Sequence, residues 1–109
     1  MEDPRAQFIL LATAAAARFL ALSETRFLLA IFDNLEPGEW RTRRIRARPL
    51  SHAMGLQKGS ITTAYAALSA AGVVSRETRA GGCIYTFHCE AFAALIEHRR
   101  AQRERANAA

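Results

Sequence analysis

Apolar residues recur at three- and four-residue spacing along the start of the chain. Phe8, Leu11, Ala15, Phe19 and Leu22 make one stripe, and Ile9, Ala12, Ala16 and Leu20 widen it. That period predicts a helix over residues 4–22, with Pro4 in its first turn and Asp3 placed to cap it. Ser23 breaks the run and can cap a second helix, residues 24–34, with Phe27, Leu28, Ile31 and Leu35 on its apolar face and Glu24 near its positive end. Leu35-Glu36-Pro37-Gly38 is a turn signal. Residues 39–45 partly alternate and predict a short strand; its polar positions are cationic, which suits a sheet edge. A short helix, Ala47 to Met54, takes Pro49 in its first turn and stops at Gly55. After the turn Leu56-Gln57-Lys58-Gly59, a helix from Ser60 to Ala71, capped by Gln57 or Ser60, turns Ile61, Ala64, Tyr65, Leu68 and Ala71 inward and ends at Gly72. Two strands follow, Val73–Arg76 and Cys83–His88, with residues 77–82 between them and Gly81-Gly82 at the tip. The last helix, residues 90–106, sets Phe92, Leu95, Ile96 and Arg99 on one face, and the chain frays from Asn107.

The fold class is therefore mainly α with a small β-hairpin, in a single domain over residues 1–109: an N-terminal helix, a core over residues 24–88 and a C-terminal helix. With half of its 109 residues hydrophobic, the chain can bury a modest core. The first helix is apolar around more than half its circumference, more than one small domain readily covers. Dimerisation through Phe8, Leu11, Ala15, Phe19 and Leu22 is the expectation that follows.

Charge changes the picture more by placement than by amount. The formal net charge is +5, yet from Trp40 through Arg76 there are seven cations and no acid, so the remainder is net negative. A single-sign block of this kind attracts a polyanion, of which nucleic acid is the commonest. The cations fall on and around two helices joined by a Gly-containing turn, the helix-turn-helix plan, in which the second helix enters the DNA major groove. Arg41, Arg43, Arg44, Arg46, Arg48, Lys58 and Ser60 are the candidate phosphate contacts. Gln57, Thr62 and Thr63 are the candidate base readers, since Gln can pair with adenine and Thr can meet a thymine methyl. Arg76 and Arg79 sit on the hairpin, which can reach phosphate or the minor groove.

The runs RFLLAIF at 26–32, PLSHAMGLQKGSITTAYAALSAAGVV at 49–74 and RETRAGGCIYTF at 76–87 resemble winged helix-turn-helix proteins, in particular phage or plasmid replication and regulatory proteins, and more loosely MarR-type repressors. The resemblance covers over half the chain. It implies double-stranded DNA binding, usually by a dimer, with helix 60–71 in the major groove and the hairpin as wing. Pro49 in the first motif helix and the Ala-rich second helix depart from the usual pattern.

The leading expectation is a sequence-preferring, dimeric transcriptional regulator. A plasmid or phage replication or segregation adaptor on repeated sites is the alternative, with the terminal helices taking a protein partner; a winged-helix interaction module without DNA is a third. Enzymatic function is not expected: there is no Gly-rich phosphate loop after a strand, no metal-ligand spacing and no cofactor motif. Cys83 and Cys89 read as reduced, buried thiols of a cytoplasmic protein. Arg18 interrupts the early apolar run, so no membrane span is expected.

Overall fold

A computed structural model describes residues 5–108, with only the backbone of Lys58. The expected Asp3 cap and Pro4 therefore lie outside the described residues. The order is α1 (Arg5–Phe19), α2 (Leu22–Asp33), α3 (Ala47–Met54), α4 (Lys58–Ala70), β1 (Val74–Arg79), β2 (Gly82–Phe87) and α5 (Cys89–Ala108).

The helix α2 is the centre of the core. It packs against α1, α3 and α4, and its Phe27, Leu28 and Ile31 are wholly buried. Each such side chain contributes about 1.5–3 kcal/mol relative to exposure. Phe27 meets Tyr85 of β2 edge-on at 5.4 Å between ring centres, and Phe32 meets Phe87 at 5.0 Å. From α1, Ala12 and Ala16 reach the core, and Phe8 packs edge-on against Trp40 at 5.3 Å.

Several expected boundaries move, each for a tertiary reason. Leu22 belongs to α2, not to α1. The N-cap of α2 is Ala21 rather than Ser23, because the Glu24 carboxylate reaches back to accept the Ala21 N–H at 2.8 Å. The carbonyl of Phe19, at the end of α1, is taken by Arg99 at 3.3 Å, a partner distant in sequence. Glu77, Thr78 and Arg79, expected in a loop, continue β1 because Ile84, Cys83 and Gly82 stand opposite them, so the turn is only Ala80-Gly81. The last helix runs to Ala108, past the expected fraying point.

Residues 40–45 do lie at an edge, beside β2, but as isolated bridges rather than a continuous strand. The pairs Arg41–Thr86 and Ile45–Cys83 differ in register by one residue. The extra residue forms a bulge. There the Arg43 N–H turns away to the Asn34 carbonyl, and Thr42, buried, fills the gap by accepting the Tyr85 N–H at 3.1 Å and donating to the Arg43 carbonyl at 2.6 Å. No helix among the described residues is long and apolar enough to cross a membrane.

Candidate nucleic-acid interface

The motif begins with α3. Leu50 and Met54 sink into the core one turn apart, and Pro49 sits in the first turn, where no helical hydrogen bond is lost. Gly55 ends the helix with φ 65°, a left-handed conformation that costs glycine little. Its cap is completed from elsewhere: Arg26 of α2 donates to the Met54 carbonyl at 3.3 Å, and the Ser51 hydroxyl donates to the Leu56 carbonyl at 2.5 Å. The turn is thus held from both sides before α4 starts.

Ile61, Ala64 and Leu68 bury one side of α4, and Thr62 and Thr63 are exposed on the other. The Thr63 hydroxyl donates back to the Gly59 carbonyl at 3.2 Å, so its methyl group and oxygen lone pairs face solvent. Gln57 is exposed as the N-cap but makes no capping bond with its side chain, and Ser60 is half-buried. Neither motif helix has an acid in its first turn; α3 instead carries Arg46 as N-cap and Arg48 just inside, and α4 opens on Lys58. Cations are unfavourable at the positive end of a helix, where an anion is stabilised by the free N–H groups. Both ends are electrostatically arranged to gain from a bound polyanion.

Between α4 and the hairpin lies an open cleft of about 530 Å³, lined by Ile61 and Thr62 on one wall, Arg76 and Arg79 on the other and Arg46 across the end. Arg76 is seated there. Its guanidinium carbon lies 4.1 Å from the centre of the Tyr65 ring, a cation–π distance, and Tyr65 in turn meets Tyr85 edge-on at 6.1 Å. Burial raises the Tyr85 phenol above its usual pKa, nearby Cys83 adds to this, and the neighbouring Arg76 guanidinium pulls the other way. This aromatic seat was not foreseen from sequence; Tyr65 read only as an inward residue of its helix.

The wing tip is tied to the basic segment. Arg44 donates to the Ala80 carbonyl at 2.9 Å. A Cβ on Gly82 would stand 2.6 Å from the Ile45 carbonyl oxygen, so only glycine lets these backbones approach. Other predicted cations go elsewhere. Arg41 lies 3.6 Å from the Glu77 carboxylate, which also holds Arg79 at 2.6 Å. Arg43 donates to the Asn34 side chain at 2.8 Å. Arg48 is exposed on α3 outside the cleft. The structure thus gathers Arg46, Arg76 and Thr62 around one cleft, with Arg79 at its edge but bound to Glu77, and directs Arg41 and Arg43 to partners outside it.

Neither a family model nor a curated protein matches the sequence. Among solved structures, a MarR-family transcriptional regulator from Silicibacter pomeroyi superposes with a TM-score of 0.53 at 15% identity, over 92% of this chain and 66% of that one. A second MarR-family regulator, from Silicibacter pomeroyi DSS-3, aligns at 20% identity and a TM-score of 0.49, over 94% of this chain and 79% of its own. The fold is a winged helix-turn-helix. In its terms α3 and α4 are the helix-turn-helix, the β1–β2 hairpin is the wing, and α1 and α5 are additions at either end. The chain spans slightly less than two thirds of the first neighbour's length.

Proposed function

We propose that this winged-helix chain binds double-stranded DNA with sequence preference, as a dimeric transcription regulator. The observation that carries the reading is the cleft: the exposed Thr62 of α4 faces a wing whose Arg76 is already oriented, with Arg46 completing the rim. In this reading α4 lies in the major groove with Thr62, Thr63 and Gln57 against base edges. Arg46 and Arg76 hold the phosphates beside the groove, while Arg44, Arg48, Lys58 and Ser60 extend the contact and Arg79, shared with Glu77, stands at its edge. That the structural neighbour is a MarR-family transcriptional regulator supports the regulatory role.

Of the first-helix stripe expected to meet a second subunit, Phe8, Ala15 and Phe19 are half-buried against this chain's own core, and Leu11 and Leu22 are exposed. The dimeric part of the proposal therefore rests on the exposed leucines of α1 and α2.

Fluorescence anisotropy with a random-sequence duplex across a salt series tests the core of the proposal. If about six phosphates are engaged, log affinity falls against log salt with a slope near −5. Affinity that is indifferent to salt would reject it. Fragments selected from a random duplex pool should then show two half-sites about one helical turn apart, as a symmetric dimer requires; a tandem array would favour the replication or segregation adaptor instead.

A further inference from the structure

The exposed side of α4 is bare. From Gly59 to Ala70 its exposed residues are Gly59, Thr62, Thr63, Ala66, Ala67 and Ala70, none with a charge, an amide or a long side chain. Short side chains let the helix come close to base edges, but none of them can make a bidentate contact to a base. A guanidinium reaches this face from another element. Arg76 is the third residue of β1, and its guanidinium carbon stands 4.1 Å from the centre of the Tyr65 ring. Tyr65 lies three residues beyond Thr62, about 4.5 Å along the helix axis. Arg76 and Thr62 line the same cleft.

The seat of Arg76 differs from what a phosphate contact needs. Holding a phosphate takes charge and reach, which a freely moving side chain supplies. Stacking on a ring goes further: it fixes the plane of the guanidinium and leaves the N–H donors along its edge free. Arg79 is held by the Glu77 carboxylate at 2.6 Å, whereas among the described residues no carboxylate stands within ion-pair reach of Arg76. Nor is Arg76 placed as a wing-tip residue. Glu77, Thr78 and Arg79 separate it from the Ala80-Gly81 turn, roughly 10 Å along the strand. A minor groove about 6 Å wide admits the tip of a ribbon rather than its base.

A fixed planar fork is what the O6 and N7 acceptors of guanine require, and an arginine on that edge is the commonest specific contact in the major groove. We infer that Arg76 reads a guanine in the major groove, beside the base pair met by Thr62, and that Tyr65 is the residue that positions it. The strand thereby supplies the bidentate reader that the exposed face of α4 lacks. A guanidinium has five N–H donors, so two can serve the base while another serves a phosphate.

This inference rests on the DNA reading above and adds a base to the phosphate contact given there to Arg76. It is tested by selecting sites from a random duplex pool with the unmodified protein, with Arg76→Lys and with Tyr65→Leu. The parent should fix a G·C pair in its site, and Arg76→Lys, which keeps the charge without the fork, should relax that pair alone. By anisotropy, replacing the guanine by adenine should weaken the parent about tenfold and Arg76→Lys less than about twofold. Replacing it by 7-deazaguanine, which lacks the N7 acceptor, should also weaken the parent and leave Arg76→Lys unmoved. Tyr65→Leu should lose part of the same discrimination at the same pair, whereas a merely structural role would affect all positions alike. Equal weakening of every sequence by Arg76→Lys would make Arg76 a phosphate contact only and overturn the inference. A parent that binds duplex but fixes no guanine dependent on Arg76 would overturn it too, with the DNA reading left standing. A parent that binds no duplex at all would reject that reading and this inference with it.

Discussion

On the α4 side of the hairpin, Arg76 rests on the Tyr65 ring and opens into a cleft shared with Arg46 and Thr62. On the opposite side, Arg41 faces the Glu77 carboxylate at 3.6 Å, and Arg43 is bonded to Asn34. Arg76 and Glu77 are neighbours in sequence, and strand alternation sends their side chains to opposite faces of the sheet. The bulge at Thr42 likewise shifts the register along the basic segment, so neighbouring arginines such as Arg41 and Arg43 go to different partners. A count of cations therefore overstates the guanidinium groups without a carboxylate or amide partner: one side seats Arg76 on a ring, and the other sets Arg41 and Arg43 beside Glu77 and Asn34.

The largest expected effect tests that division directly. Replacing both Arg46 and Arg76 by Ala should weaken duplex binding about a hundredfold in low salt, near 2.7 kcal/mol, as expected for two charge-assisted contacts. Replacing both Arg41 and Arg43 should cost less than about threefold. Equal losses by anisotropy titration would erase the distinction between the two sides.

Gly82→Ala comes next. With the Ile45 carbonyl 2.6 Å from the new Cβ, the wing and the basic segment must separate. A loss of about 1–3 kcal/mol in urea unfolding is expected, in the range of overpacked sites. Unchanged stability would show that the close approach is not needed.

Tyr65 separates orientation from mere presence of charge. Tyr65→Leu removes the ring beneath Arg76 and should lower affinity roughly fivefold, within the span of cation–π contributions. Tyr65→Phe keeps the ring and should bind within about twofold of the parent. Similar losses in both variants would assign the role to the hydroxyl rather than to the ring face.

Glu77→Gln releases Arg79 and Arg41 from their shared carboxylate. Binding should tighten by roughly twofold to threefold, with a salt slope steeper by about one. A slope unchanged within error would mean that these cations never reach DNA.

The smallest effect is on stability at alkaline pH. The folded Tyr85 phenol titrates above its ordinary value of 10.0, mainly through burial. Its contribution is intact below pH 10.0 and is lost as pH rises towards the folded value, because the unfolded chain ionises first. The parent's thermal midpoint should fall above pH 10.0, and Tyr85→Phe should flatten that fall.

Much of the fold was legible in the sequence. The span Ala47–Met54 and its stop at Gly55 follow from a buried pair one turn apart and a left-handed glycine, both local properties. The exposure of Thr62 and Thr63 follows from the period of Ile61, Ala64 and Leu68. Less legible were the features that depend on two distant segments. Glu24 capping α2 could be read as a capping-box acid only once Ala21 was known to start the helix, and nothing near Phe19 marks Arg99 as the partner of its carbonyl.

Sequence alone determined the order of elements, the glycines at their ends and the acid-free basic block, since periodicity, backbone freedom and charge are properties of neighbouring residues. Tertiary structure decided which arginines remain available, how Arg76 is held and which side of α1 stays open. Those outcomes depend on strand register, a one-residue bulge and ring-to-guanidinium contacts between segments that meet only when the chain has folded.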